Sequence, residues 1–327
     1  MSVAYAAYSK NDEIRKNSSS GGLFPELAKY VLDLDGYVSG AAWDKDFKGV
    51  SHIVIDDVSE LHKLTTSKYL QSKFSIHKEI EEKLKNNDTV LCSGTPCQIA
   101  SLKKYLKKDY DNLILVDIIC HGTPMPKVWV KYLDWQEKKH GEPVTYVNFR
   151  NKEKGWRKYS VLMKFGPQKR YKKSGDKDSY MKLFLGDICL DRRCYECRYK
   201  GENRFSDITL GDFWGIEKVV PEIDDDKGVS ILSLNTEKGR KVFDEIKNRL
   251  TYREVDGKEA FKHNLCAIQP VIKPARYEDF WADFDRMSYE ELVKNYIPKQ
   301  NIKQRLKKYR IVRWAISVRD RIKYGKR

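Results

Sequence analysis

The chain has 327 residues, 40% of them hydrophobic, enough for a sizeable buried core in one large or two modest domains. No run of about 18 apolar residues occurs, which excludes a membrane-spanning helix, and Met1-Ser2-Val3-Ala4-Tyr5 has neither the basic nor the apolar part of a secretory leader. The net charge is +16, but twelve Lys or Arg against one acid (Asp320) fall in residues 299–327, and the balance of +5 elsewhere argues against a nucleic-acid-binding body.

Val3–Ser9 reads as a first strand. Asn17-Ser18-Ser19-Ser20-Gly21-Gly22 follows, and then Leu23, Phe24, Leu27, Ala28, Tyr30 and Val31 recur at helical spacing. Small residues before a helix suit an N-terminus whose free N–H groups meet an anion. Tyr37–Trp43 and Val50–Ile55 are expected as strands that pair, and residues 76–85 as a helix. Residues 89–93 form a short apolar strand running into Gly94-Thr95-Pro96-Cys97-Gln98 and a helix over 99–106. Thr95 is a suitable N-cap and Pro96 takes the favoured first helical position.

Residues 113–119 are a continuous apolar strand, the pattern of burial on both faces. It ends in Cys120-His121-Gly122-Thr123-Pro124 before a helix over 127–138. Two strand–loop–helix units in succession predict an α/β fold with a mixed, partly parallel sheet flanked by helices, its site at the strand C-terminal ends. After residue 141 shorter elements follow: strands over 144–149 and 159–165, a helix over 180–186, a cysteine-rich loop, a strand over 229–234 and a helix over 236–250. One domain is expected over 1–298, with an N-terminal part to about residue 140 and a C-terminal part over 141–298. The basic tail, 299–327, places Ile302, Leu306, Tyr309, Val312 and Ile316 near one helical face. Contact with an anionic membrane or an acidic redox partner is expected there.

Seven cysteines without an export signal point to a reducing cytoplasm, where grouped Cys bind metal or do redox chemistry. Cys189, Cys194 and Cys197 form a Cys-x4-Cys-x2-Cys run suited to an iron–sulfur cluster, whose fourth ligand must come from elsewhere. Cys120, beside a glycine at a strand end, is the first choice. Cys97, at a helix N-terminus, and His121 are alternatives. The alternative chemistry is a structural zinc, which makes the protein a non-enzymatic scaffold. The loops Ser18–Gly22 and Gly94–Gln98 suggest a nucleotide-like cofactor straddling two strand ends, and Lys68-Tyr69-Leu70-Gln71-Ser72 adds a cation and an aromatic face. In the stretch 207–215, Asp207 and Asp212 stand five apart with glycines close by, and Phe213 and Trp214 next to Asp212 suit a wall against a planar ring, unless the stretch is a solvated loop. His121 and Asp212 are candidates for proton handling.

Taken together, Ser18-Ser19-Ser20-Gly21-Gly22, Lys68-Tyr69-x-Gln71-Ser72, Gly94-Thr95-Pro96-Cys97-Gln98, Cys120-His121-Gly122, the cysteine loop and Ser206-Asp207-Ile208-Thr209-x-Gly211-Asp212-Phe213-Trp214-Gly215 resemble the coenzyme F420 hydrogenase/dehydrogenase beta-subunit family. The resemblance implies an oxidoreductase with FAD and a [4Fe–4S] cluster. The serine–glycine, Lys68–Ser72 and Gly94–Gln98 segments would line the flavin site, and Cys120, Cys189, Cys194 and Cys197 would hold the cluster. It further implies a hydride carrier, coenzyme F420 or NAD(P)H, and a one-electron partner such as a ferredoxin. Similar proteins occur in bacterial polysaccharide-synthesis gene clusters. Two departures stand out: no Cys precedes Cys92, so an N-terminal ferredoxin-like domain is missing from the pattern, and the basic tail lies outside it.

Overall fold

The computed structural model describes residues 3–201 and 203–297. The tail expected over 299–327 lies outside the described residues. Eight strands form one sheet, in the order β11-β1-β10-β9-β5-β4-β2-β3. They are β1 (Val3–Ser9), β2 (Tyr37–Trp43), β3 (Val50–Ile55), β4 (Val90–Gly94), β5 (Leu113–Ile118), β9 (Ile208–Asp212), β10 (Ser230–Leu234) and β11 (Leu250–Val255). A second sheet contains β6 (Val144–Asn151), β7 (Ser160–Phe165) and β8 (Lys169–Ser174). In the larger sheet β2, β4, β5 and β9 run parallel, and the remaining pairings are antiparallel. The fold is mixed α/β with a partly parallel sheet flanked by helices, and the sheet draws strands from both sides of residue 140.

The helices are α1 (Asp12–Lys16), α2 (Leu23–Leu32), α3 (His77–Lys85), α4 (Pro96–Leu106), α5 (Pro126–His140) and α6 (Ser179–Leu185), with shorter or later ones following. Strand β5 shows why helices cover both faces. Ile114 and Val116 join one core with Leu27 and Val31 of α2, while Leu113 and Leu115 join another with Ile80 of α3 and Ile99 and Leu102 of α4. Each such side chain contributes about 1.5–3 kcal/mol by leaving water. Gly94 passes into α4 through Thr95, whose N–H donates to Gln98 Oε1 at 2.9 Å while Pro96 opens the helix.

Three strands depart from the sequence expectation. Residues 208–212 are not a solvated loop but β9, inserted between β5 and β10 in the middle of the sheet. The helix expected over 236–250 ends at Ile246, and Leu250 begins β11. β8, Lys-Arg-Tyr-Lys-Lys-Ser, hid its alternation under cations because it is an edge strand paired only with β7.

Candidate functional site

Because β2, β4, β5 and β9 run parallel, their C-terminal ends face one crevice, the position that such sheets reserve for ligands. Here it is a cavity of about 1060 Å³, with Gly94 of β4, Ile118 of β5 and Asp212 of β9 in its floor. That volume lies just above the roughly 300–1,000 Å³ common for small-molecule sites. Arg150 of β6 and Tyr159 supply the facing wall, with Met181 and Phe184 of α6. The cavity thus lies between the large sheet and the structure built on the small one.

The three segments expected to line a cofactor converge on it. Ser18, Ser19, Ser20 and Gly22 border the cavity, as do Lys68, Tyr69, Gln71, Ser72, Gly94, Thr95, Cys97 and Gln98. Ser67 N donates to Ser19 Oγ at 2.7 Å, which fastens the first two segments together. Gln98 Nε2 donates to Ser72 Oγ at 2.9 Å and ties in the third. Ser72 in turn donates to His52 Nδ1 at 3.2 Å, and His52 Nε2 donates to the Ser93 carbonyl at 3.1 Å. Burial, partly offset by the Ser93 and Lys73 backbone bonds, lowers the His52 pKa to about 4, so the ring stays neutral.

Gly21 and Pro96 do not line the cavity. Gly21 fits a close backbone crossing instead, since a Cβ there would stand 2.6 Å from the Ala7 carbonyl oxygen. Asp207 is likewise placed elsewhere. It is buried, accepts from Leu115 N at 2.8 Å and from Thr236 Oγ1 at 2.6 Å, and so joins β5 to the helix after β10.

Lys68 is the chief electrostatic feature of the glycine-and-serine side. Its Nζ donates to the carbonyls of Thr65 (2.9 Å) and Thr66 (3.3 Å), and burial lowers its pKa to about 7 with no opposing carboxylate. A buried ammonium with no acid beside it is a natural seat for a ligand's anion.

Five cysteines border the same cavity from four separate stretches: Cys97 lies in the first turn of α4, Cys120 follows β5, Cys194 and Cys197 come from the cysteine loop, and Cys266 comes from the short helix Leu265–Ile268. Burial raises the Cys120 pKa to about 12; the nearby Lys200 ammonium opposes this, while Cys97, Cys194 and Cys197 all add to it. Lys200 donates from Nζ to the Cys120 and Cys266 carbonyls. Burial also raises the Cys194 thiol, against a bond donated by Thr123 N to its Sγ at 3.4 Å. Cys189, expected as a ligand, is placed elsewhere: it is fully buried in the core beside Tyr180, does not border the cavity, and is raised by burial and by Asp187, with no thiol among its neighbours' charges. Its place in the run comes from the fold, since its carbonyl accepts from Met125 N at 3.0 Å. Among the described residues no three His, Cys, Asp or Glu side chains gather closely enough to hold one ion. The thiols stand around a space rather than on a point.

Two expected residues have well-defined partners. His121 Nε2 lies 2.6 Å from Asp187 Oδ1. Burial would lower its pKa, but Asp187 and Cys266 raise it to about 9. Asp212 Oδ1 accepts from Trp156 Nε1 at 3.0 Å and from Arg150 Nη2 at 3.2 Å. Trp156 stacks on Trp214 with ring centres 4.7 Å apart, and the Arg150 guanidinium lies over Tyr159 at 4.1 Å. Sequence reasoning missed Arg150, Tyr159 and Lys200. Arg150 and Tyr159 come from a part of the chain distant from the other lining segments, and Lys200 follows the cysteine loop but reaches back to the Cys120 carbonyl.

The arrangement therefore offers a large cavity, a buried cation without an acid, five converging cysteines, and an aromatic–arginine wall. Thiolates packed this way need a cationic centre to neutralise them. A comparison with curated proteins gave no match. Among solved structures, a chain of the xenon-derivatised F420-reducing [NiFe] hydrogenase complex from Methanosarcina barkeri shares the fold, with a TM-score of 0.51 and 14% identity over 89% of this chain and 88% of that one. Residues 87–258 match the family model that describes the C terminus of the coenzyme F420 hydrogenase/dehydrogenase beta subunit. That match takes in Cys97, Cys120, Cys194 and Cys197 together with β4, β5 and β9, and by it the chain belongs to the coenzyme F420 hydrogenase/dehydrogenase beta-subunit family, a family of redox subunits.

Proposed function

We propose that the protein is an oxidoreductase that holds FAD and a [4Fe–4S] cluster in this cavity and passes electrons between a hydride carrier and a one-electron partner. The observation that carries this reading is the convergence of Cys97, Cys120, Cys194 and Cys197 on one cavity with Lys68. In a four-iron cluster each cysteine binds a different iron, so its ligands surround a volume, as these thiols do. The set revises the expectation from spacing alone by exchanging Cys189 for Cys97. A zinc scaffold needs its ligands on one ion, which fits this arrangement less well.

The donor set and the cavity fit both groups. Cys97, Cys120, Cys194 and Cys197 would hold the cluster; the Ser18–Ser20 turn, Lys68 and the Gly94–Gln98 turn would hold the flavin, Lys68 meeting its anionic part. When bound, flavin supplies two-electron hydride exchange and the cluster supplies single-electron transfer. The chain's own residues orient and insulate. Gln98, Ser72 and His52 fix the second and third segments in register through neutral hydrogen bonds. Arg150 and Trp156 hold Asp212 at the wall. His121, the residue after Cys120, is kept protonated by Asp187 and Cys266 and can hold a proton there. The hydride carrier is coenzyme F420 or a nicotinamide.

The test is an anaerobic preparation of the full chain. A brown protein with flavin and about four irons per chain is expected. A colourless protein holding neither after reconstitution removes the proposal.

A further inference from the structure

The cysteine loop has two faces. On one, Cys194 and Cys197 border the large cavity; on the other, Arg192 and Tyr195 border a separate groove of about 480 Å³, and Glu196 borders both. The groove's far wall is the extended stretch 269–273. That stretch continues a short helix, Leu265–Ile268, whose Cys266 borders the large cavity. It is fastened to the cysteine loop through Gly201 N, which donates to the Ala267 carbonyl at 2.8 Å, and through Lys200 and the Cys266 carbonyl at 2.7 Å. One wall of the groove is thus a single pass of chain whose other side carries Cys194 and Cys197 to the large cavity, and the other wall continues the helix that carries Cys266 there.

The same stretch displays apolar side chains to water. Ile272 is 86% exposed, Leu265 63% and Ile268 50%, and they occur within eight residues of one another. Exposed aliphatics concentrated in this way mark an interaction surface. Their surroundings are basic. Apart from Lys200, which is turned inward, segments 191–201 and 258–279 carry seven Lys or Arg and five acids; Arg192 and Lys273 share Glu278, and Arg192 and Arg193 are largely exposed. An apolar centre with a net cationic rim fits a partner with an acidic rim around a small apolar spot.

We infer that the groove between the cysteine loop and residues 265–273 is the docking surface for a small, soluble, acidic one-electron carrier protein. The inference rests on the proposed iron–sulfur site and names the partner of that site. In the transfer one electron crosses the cysteine loop: the donor's iron centre is oxidised by one electron, the acceptor's is reduced by one, and no bond or proton moves. Charged rims and small contacts suit encounters that must form and part quickly.

The experiment mixes the reduced, full-length holoprotein with an oxidised plant-type [2Fe–2S] ferredoxin, an acidic carrier, in a stopped-flow instrument. The wild-type rate should fall as salt rises. Ile272→Glu, and separately the double variant Arg192→Glu/Lys273→Glu, should lower the second-order rate at least about tenfold. Oxidation by methyl viologen, which needs no docking surface, should be unchanged. The basic tail is present in every variant and cancels in the comparison. Ferredoxin rates that equal wild type in both variants overturn the inference. So does sedimentation showing that Ile272→Glu turns a dimer into a monomer, because the surface then pairs two copies of this chain. If the wild type carries no cluster, the proposed function is what fails. Calorimetric binding of the same ferredoxin to the cluster-free chain then decides the docking question: loss on Ile272→Glu supports it, and unchanged binding overturns it.

Discussion

Arg150 Nη2 reaches Asp212 Oδ1 at 3.2 Å, and this contact joins the two sheets across the cavity, since Arg150 belongs to β6 and Asp212 ends β9. The guanidinium is almost wholly buried, and its Nε has no hydrogen-bond partner among the described residues. Burial alone would lower its pKa, but Asp212 and the tyrosines beside it raise it, so it stays charged. Arg150→Met removes one member of a buried pair and leaves Asp212 with only Trp156 on that oxygen. A loss of about 3 kcal/mol is expected from urea unfolding. Arg150→Lys should recover only part of it, because an ammonium cannot both reach the carboxylate and lie flat over Tyr159.

The His52 ring predicts a pH dependence. Its folded pKa of about 4 lies below the ordinary 6.5, so between those values the unfolded chain binds more protons. Stability from this group is fully present above about pH 6.5 and is lost as pH falls toward 4, by up to about 3 kcal/mol. Denaturation midpoints measured across that window should slope upward with pH. In His52→Gln the slope should flatten, because the amide does not titrate. An unchanged slope would assign the effect to other groups.

The central parallel sheet was legible in the chain because β4 and β5 are short apolar runs, each ending in small or turn-forming residues before an amphipathic helix. Leu113 through Val116 must be buried on both faces, and that alone calls for helices on both sides. β9 was not legible. Ile208-Thr209-Leu210-Gly211-Asp212 has glycine and aspartate where a strand prefers branched residues, and it is a strand because β5 and β10 pair with it on either side. The site divides the same way. Local turns announced the serine–glycine and Thr95–Gln98 segments, whereas spacing alone could not tell which three of the loop and strand-end sulfurs face the cavity. Cys189 sits in the run at a natural ligand spacing, yet its backbone is stitched to Met125 and its side chain is packed in the core.

That difference gives a direct discrimination. Ser substitutions at Cys97, Cys120, Cys194 and Cys197 should each lower iron per chain after anaerobic reconstitution, because each removes one thiolate of the proposed ligand set. Cys189→Ser should leave iron content at the wild-type level. It should instead lower stability by about 1–3 kcal/mol, since it places a hydroxyl in an apolar site. Loss of iron in Cys189→Ser, with Cys97→Ser unaffected, would restore the set read from spacing.

If the proposed flavin places its anion at Lys68, its binding is expected to be proton-linked. Without a ligand its pKa is lowered to about 7 by burial, so at pH 8 most molecules hold a neutral amine. An anion brought beside Nζ favours the ammonium and raises that pKa, so binding draws a proton from solution. Below about pH 6 the amine is already charged and no uptake is expected. Above pH 7 the apparent affinity for FAD should fall roughly tenfold per pH unit until the pKa of the bound state is reached. Calorimetry in two buffers of different ionisation enthalpy at pH 8 should report uptake of close to one proton. Lys68→Met should bind FAD more weakly at pH 6 and show no uptake at pH 8. If wild type and Lys68→Met take up the same number of protons, the ammonium does not meet the ligand's anion, and Lys68 serves only to close the Thr65–Thr66 turn through its carbonyl bonds.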